Sequence, residues 1–232
     1  MQQSVLENSK LITTSNPDSP IAEAYRSLRT NIQFSSIDVP VKTLMVTSCQ
    51  SGDGKTTTIA NLAVAFSQEG KRVLLVDADL RRPTLHTVFM LSNQSGLTNV
   101  LANQMDWQDA VHSTSVDNLF FIGSGPTPPN PSEMLGSKKM NQLIEELSAH
   151  YDMILFDAPP SLVVTDGLVL ASKCDGVVAV ISVGMTKRQQ AKKLYASLEH
   201  VKAKLLGVVL NNKKKKSKEQ LYYTYYGTNG RM

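Results

Sequence analysis

Apolar residues in this chain fall into short unbroken runs, separated by longer segments with helical spacing. Residues 43–48, 73–76, 118–125, 151–157, 176–183 and 204–212 read as strands. Several are apolar at every position, as strands buried on both faces are. A helix is expected after Pro20, where Ile21, Ala24, Tyr25, Leu28 and Ile32 recur at helical spacing. Others are expected over 55–69 ahead of Gly70, from Ser132 and Glu133 to about His150, over 165–173 and over 186–202. Segments 84–91 and 96–111 are helical and irregular by turns. Strands alternating with helices predict an α/β fold, a mostly parallel sheet with helices on both faces. Residues 1–19 read as a flexible arm, 20–212 as one domain, and 213–232 as a flexible basic tail.

The first strand runs straight into SGDGKTTT, and a helical pattern follows at once. Strand, glycine loop, Lys-Thr and helix is the context of a phosphate-binding loop, the mark of a P-loop NTPase. Gly52 and Gly54 let the backbone of Ser51, Gly52, Asp53, Gly54, Lys55, Thr56 and Thr57 curl so that its N–H groups form an anion nest. The following helix points its positive end at the same spot. Lys55 can reach the β- and γ-phosphates, and the Thr56 hydroxyl can ligate Mg²⁺. The usual pattern has a glycine five residues before Gly54, where this chain has Cys49. The expected ligands are a nucleoside triphosphate and Mg²⁺.

Two later strands end in carboxylates: Asp77 and Asp79 after VLLV, and Asp157 after YDMILF. Open α/β sheets bind ligands at the carboxyl ends of strands. Asp157 follows its apolar run as the second acidic motif of phosphate-loop enzymes does. Asp77 and Asp79 lie two apart, so a strand carrying both would turn them to one side. One of the pair could accept a hydroxyl proton while the other supports the metal. Asp77 is the expected acceptor, with Asp79 and Asp157 on Mg²⁺.

Charge adds one distinction. The net charge is +4, but residues 211–232 hold six Lys or Arg against one acid, while the preceding 210 residues carry 18 basic and 19 acidic side chains. The basic character belongs to the tail, so no nucleic-acid groove is expected. Four of the chain's seven tyrosines, Tyr222, Tyr223, Tyr225 and Tyr226, sit within five positions of that tail. Two cysteines without metal-ligand spacing, no apolar run long enough to span a bilayer and no secretory pattern at the start fit a cytoplasmic protein.

Together SGDGKTT, LLVDADLRRP and ILFDAPP resemble the bacterial tyrosine kinases that govern capsule and exopolysaccharide synthesis, in their cytoplasmic Gram-positive form. The proline-rich GPTPPNPSEML resembles a segment of the same family. The resemblance implies ATP and Mg²⁺ at Lys55 and Thr56, catalytic roles for Lys55, Asp77, Asp79 and Asp157, and phosphorylation of the tail tyrosines. It places Asn211 near the adenine. Glu23, Arg26 and Arg29 recur every three residues, which alone reads as a solvated, ion-paired helix ridge. In the family this motif mediates ring-shaped homo-oligomers, so the resemblance implies a ring of this chain. It also implies a separate transmembrane activator at the inner face of the plasma membrane, a cognate phosphatase and protein substrates. The rival enzyme reading is a partitioning or septum-placement ATPase, which would carry an extra lysine where Gln50 stands. Ser51 stands where many of the kinases have proline. A non-enzymatic, nucleotide-gated assembly factor would leave the tyrosine cluster without a purpose.

Overall fold

The computed structural model describes residues 11–36 and 40–213. In chain order the elements are α1 (Ile12–Ser15), α2 (Pro20–Phe34), β1 (Thr43–Ser48), α3 (Lys55–Ser67), β2 (Val73–Asp77), α4 (Leu85–Phe89), α5 (Leu97–Leu101), α6 (Trp107–Ala110), β3 (Val111–Ser113), β4 (Leu119–Ile122), α7 (Pro131–Gly136), α8 (Lys138–His150), β5 (Met153–Asp157), α9 (Asp166–Ala171), β6 (Gly176–Ser182), α10 (Arg188–His200) and β7 (Leu205–Asn211). The seven strands lie in the order β3-β4-β2-β5-β1-β6-β7. Every pairing is parallel except that of β3 with β4. The central strands β1, β2 and β5 are buried at every position, which is why their sequences are apolar without alternation.

Each face of the sheet has its own core. On one face α2, α3 and α4 contribute Ile32, Ile59, Phe66 and Phe89 against Leu44, Leu75 and Leu155. On the other, α5, α7, α8, α9 and α10 contribute Leu97, Leu135, Leu143, Leu170 and Leu194 against Met45, Leu74 and Phe156. Helix α3 is buried nearly all round, since α1 and α2 cover the side that the sheet does not.

Three local expectations change. The arm expected over 1–19 is packed where it is described. Leu11 and Thr13 are buried, and the Thr13 amide and hydroxyl both donate to Asn61 Oδ1 on α3, at 3.1 and 3.0 Å. The helix expected from Ser132 to His150 is two helices. Pro131 opens α7 and the Ser137 side chain caps α8 by accepting from the Met140 amide. Strand β3, inside the 96–111 region and just beyond, is only three residues long, too short to leave an alternation in the sequence.

Candidate functional site

The loop between β1 and α3 is built as its glycines suggest. Gly52 and Gly54 have φ of 86° and 94°, a left-handed region that costs glycine nothing. At Gly54 space matters as well, because a Cβ there would sit 2.0 Å from Asn211 Nδ2. That amide donates to the Asp53 carbonyl at 2.9 Å. Asn211, at the end of β7, therefore holds the loop's backbone and does not line the cleft in front of it. Asp53 also faces inward, with its carboxylate accepting from the Gln50 amide at 3.1 Å and the Thr186 hydroxyl at 2.8 Å. Cys49, where the usual pattern has glycine, is buried against the core, and burial with the nearby Asp53 pushes its thiol up to about 11.

The loop forms one wall of a cleft of about 690 Å³, lined by Ser51, Gly52, Gly54, Lys55, Thr56 and Thr57. Lys55, which opens α3, is only 8% exposed, with its Nζ 2.6 Å from Asp157 Oδ1 and 3.9 Å from Asp79 Oδ2. The Thr56 hydroxyl donates to Asp157 Oδ2 at 2.8 Å. Lysine, threonine and strand-end aspartate thus meet at one point, although Asp157 lies about a hundred positions along the chain.

Asp77 and Asp79 do not share a strand face. Strand β2 ends at Asp77, and the chain then turns, with the Asp79 amide donating back to Asp77 Oδ1 at 3.2 Å. Asp77 pairs with Asp157 across the parallel register, so the two side chains project to the same side. Asp77 is fully buried, and its Oδ2 accepts from the Thr84 and Leu85 amides. Burial, helped by the Asp157 charge, pushes its carboxyl up to about 8 against the opposing pull of Lys55. Asp79 lines the cleft, and its carboxyl is raised by burial, with Lys55 opposing. Access to the cleft belongs to Asp79, while the acidity near neutrality belongs to Asp77.

Thr56, Asp79 and Asp157 present hard oxygen donors, the kind that Mg²⁺ takes. Among the described residues no three His, Cys, Asp or Glu side chains converge tightly enough to hold a metal alone. A cation here would complete its shell with phosphate and water.

Residues 41–214 match the family model described as AAA domain. The chain is 48% identical over 218 residues to the tyrosine-protein kinase YwqD of Bacillus subtilis, covering 94% of this chain and 91% of that protein. It is 41% identical over 219 residues to the putative tyrosine-protein kinase CapB of Staphylococcus aureus, covering 94% and 96%. The chain belongs to the bacterial tyrosine kinases. It is a nucleotide-binding P-loop enzyme of the protein-tyrosine kinase type. The chimerical protein CapA2B2 superimposes with a TM-score of 0.86 at 40% identity, covering 89% of this chain and 91% of that one. The kinase domain of the Escherichia coli tyrosine kinase ETK gives 0.85 at 31%, covering 89% and 81%. The rival ATPases share the fold less closely: the Pyrococcus furiosus cell division ATPase MinD gives 0.65 at 27%, covering 76% and 74%.

Within this kinase, the remaining expected residues lie elsewhere. Glu23, Arg26 and Arg29 are all on α2, but they are not one uniform ridge. Arg26 pairs with Glu23 at 2.7 Å and donates to the Pro17 carbonyl at 2.9 Å. Arg29 turns inward, with its guanidinium 3.0 Å from Glu69 and donating to the Ala65 carbonyl at 2.9 Å, at the end of α3. Tyr222, Tyr223, Tyr225 and Tyr226 lie outside the described residues. No described helix is long and apolar enough to cross a membrane.

Sequence reasoning gave no role to one charged group in the site. Arg81 lines the cleft, and its Nε and Nη2 donate to Asp166 at 2.6 and 3.1 Å. Asp166, at the start of α9, is fully buried and also accepts from the Ser132 hydroxyl of α7. The proline-rich segment that leads into α7 is thereby fastened to the loop that follows Asp79. The visible signal was an arginine two residues after Asp79; its partner, 85 positions away, left none.

Proposed function

We propose that this kinase transfers the γ-phosphoryl group of ATP to its own tail tyrosines, Tyr222, Tyr223, Tyr225 and Tyr226, and to other protein substrates. The observation that carries this reading is the convergence of Lys55, Thr56, Asp79 and Asp157 on one cleft in front of the phosphate loop. The backbone amides of residues 51–57 bind the phosphates, and Lys55 neutralises charge on the transferred group. Thr56 and Asp157, with Asp79 beside them, would hold Mg²⁺, which supplies further charge neutralisation at the β- and γ-phosphates. The tyrosine oxygen bonds to the γ-phosphorus as the β–γ bridging bond breaks, and the phenolic proton passes to Asp79, the member of the Asp77–Asp79 pair that lines the cleft. ADP leaves.

The reading extends to a setting. The chain works in the cytoplasm at the inner face of the plasma membrane, recruited by a separate transmembrane activator and reset by a cognate tyrosine phosphatase. Copies assemble into a ring through Glu23, Arg26 and Arg29, and tails are phosphorylated in trans. The process regulated is the making and export of a capsular or exopolysaccharide polymer. Intact mass after incubation with Mg·ATP tests the chemistry. Additions in steps of about 80 Da, the mass of a phosphoryl group, that map to residues 222–226 are expected, in keeping with a hydroxyl acceptor. Nucleotide hydrolysis without any added mass would instead favour the ATPase reading.

A further inference from the structure

Two parts of the cleft wall lie outside the phosphate loop and the strand-end aspartates. One is apolar: Pro159, Pro160, Val163 and Val164 follow β5, and Val163 is 67% exposed. A single exposed valine is ordinary, but this one stands with two prolines and a second valine at a site whose acceptor is an aromatic ring. The other is cationic, Arg81 and Arg82. These two arginines are not equivalent. The Arg81 charge is matched by the fully buried Asp166, which Ser132 also holds. No described residue pairs with the guanidinium of Arg82, while its backbone amide donates to Asp79 Oδ1 at 3.1 Å. The backbone of Arg82 is therefore anchored at the carboxylate that faces the cleft, and its exposed side chain lines the same cleft.

We infer that this half of the cleft is an acceptor subsite that reads earlier phosphorylation: Pro160 and Val163 pack the ring of the reacting tyrosine, and Arg82 binds the phosphate of a neighbouring phosphotyrosine. Phosphate already on the cluster then improves the binding of the next tyrosine, and modification of one tail runs to completion. This rests on the tail being the substrate. The sequence of that tail fits. Residues 220–230, QLYYTYYGTNG, contain no charged side chain, so the unmodified cluster offers Arg82 nothing to pair with. Each phosphate adds about −1.5 to −2 charges and three strong acceptor oxygens, which a guanidinium takes in a two-point grip. Neighbouring tyrosines are one to four residues apart, about 3 to 14 Å of extended chain, so a modified neighbour stays within the cleft region while another reacts.

The test uses the full chain with Tyr222, Tyr223, Tyr225 and Tyr226 changed to Phe, so that only added peptide accepts phosphate. Two peptides of residues 221–229 are compared, one unmodified and one phosphorylated at Tyr226. The phosphorylated peptide is expected to have a KM lower by about threefold to tenfold, the range of a partly exposed charge-assisted pair. Arg82→Ala should erase that ratio and Arg82→Lys should keep part of it. Val163→Ser should raise KM for both peptides and leave the ratio alone. Equal KM values, or a ratio that survives Arg82→Ala, overturn the subsite and leave the tail as substrate. Phosphate on neither peptide overturns the tail as substrate and the subsite with it.

Discussion

Lys55 neutralises Asp157, 2.6 Å away in a nearly closed environment. Phosphate would compete for the same ammonium. Lys55→Met should lower tyrosine phosphorylation by at least about a hundredfold, the scale on which a charge-stabilising donor acts. Circular dichroism should be unchanged, because Asp157 keeps the Thr56 hydroxyl as a partner. Phosphorylation at the normal rate in that variant would remove Lys55 from the chemistry. The two aspartates after β2 separate by the same logic. A base must reach the hydroxyl it deprotonates, and only Asp79 faces the cleft. Asp79→Asn should lower kcat by more than it weakens Mg·ATP affinity, since Thr56 and Asp157 still face the cation. Asp77→Asn should weaken Mg·ATP binding, since Asp77 fixes the Thr84 and Leu85 amides and borders Asp157. The reverse pattern would return the proton-accepting role to Asp77, where sequence alone had put it.

Elements place these residues by meeting at their ends. The Arg81–Asp166–Ser132 contact joins the loop after β2 to the starts of α7 and α9. Burial pushes the Asp166 carboxyl up, but hydrogen bonds from Arg81 and Ser132 outweigh it and hold the carboxyl below the ordinary aspartate range. The stabilisation is therefore present above the unfolded pKa of about 4 and is lost as pH falls through the lower folded value. Asp166→Asn should cost about 1–3 kcal/mol at pH 7, less than a fully buried pair, because Arg81 is 44% exposed. In thermal melts the gap to the parent protein should narrow below about pH 4. A gap independent of pH would show that the ion pair contributes nothing.

At the scale of the whole molecule and the ring proposed for it, Arg26 and Arg29 are unequal probes. Arg29 joins α2 to the end of α3 within one chain, so its removal disturbs the fold as well as any contact between chains. Arg26 is the cleaner choice, for among the described residues its guanidinium hydrogen-bonds to Glu23 and the Pro17 carbonyl, both near it in sequence. Arg26→Ala should give smaller particles in light scattering, with weak tail phosphorylation and a normal melting temperature. Phosphorylation should also release the assembly. Residues 211–232 carry +5, and several groups of about −1.5 to −2 each reverse that charge and set neighbouring tails in repulsion. A fully phosphorylated form as large as the Tyr222/223/225/226→Phe variant would exclude such a switch; reassembly after a phosphatase is the expected result.

The sequence by itself determined the layered α/β fold, because an all-apolar strand followed by a helix can be buried only between layers. It also determined the phosphate loop, since Gly52, Gly54, Lys55 and Thr56 act through local backbone geometry and adjacent side chains. The strand-end aspartates were legible for a similar reason, as each closes an apolar run. What tertiary structure decided was every pairing across the chain. The register of β2 on β5 buried Asp77 beside Asp157, and burial with that charge raised its carboxyl, while the turn after β2 sent Asp77 inward and Asp79 to the cleft. Asn211 became a brace for the loop instead of a side chain in the cleft, and Arg81 found Asp166. Local patterns record what a residue does within a few positions of itself. Which distant carboxylate meets which cation is fixed only when the sheet order brings their strands together.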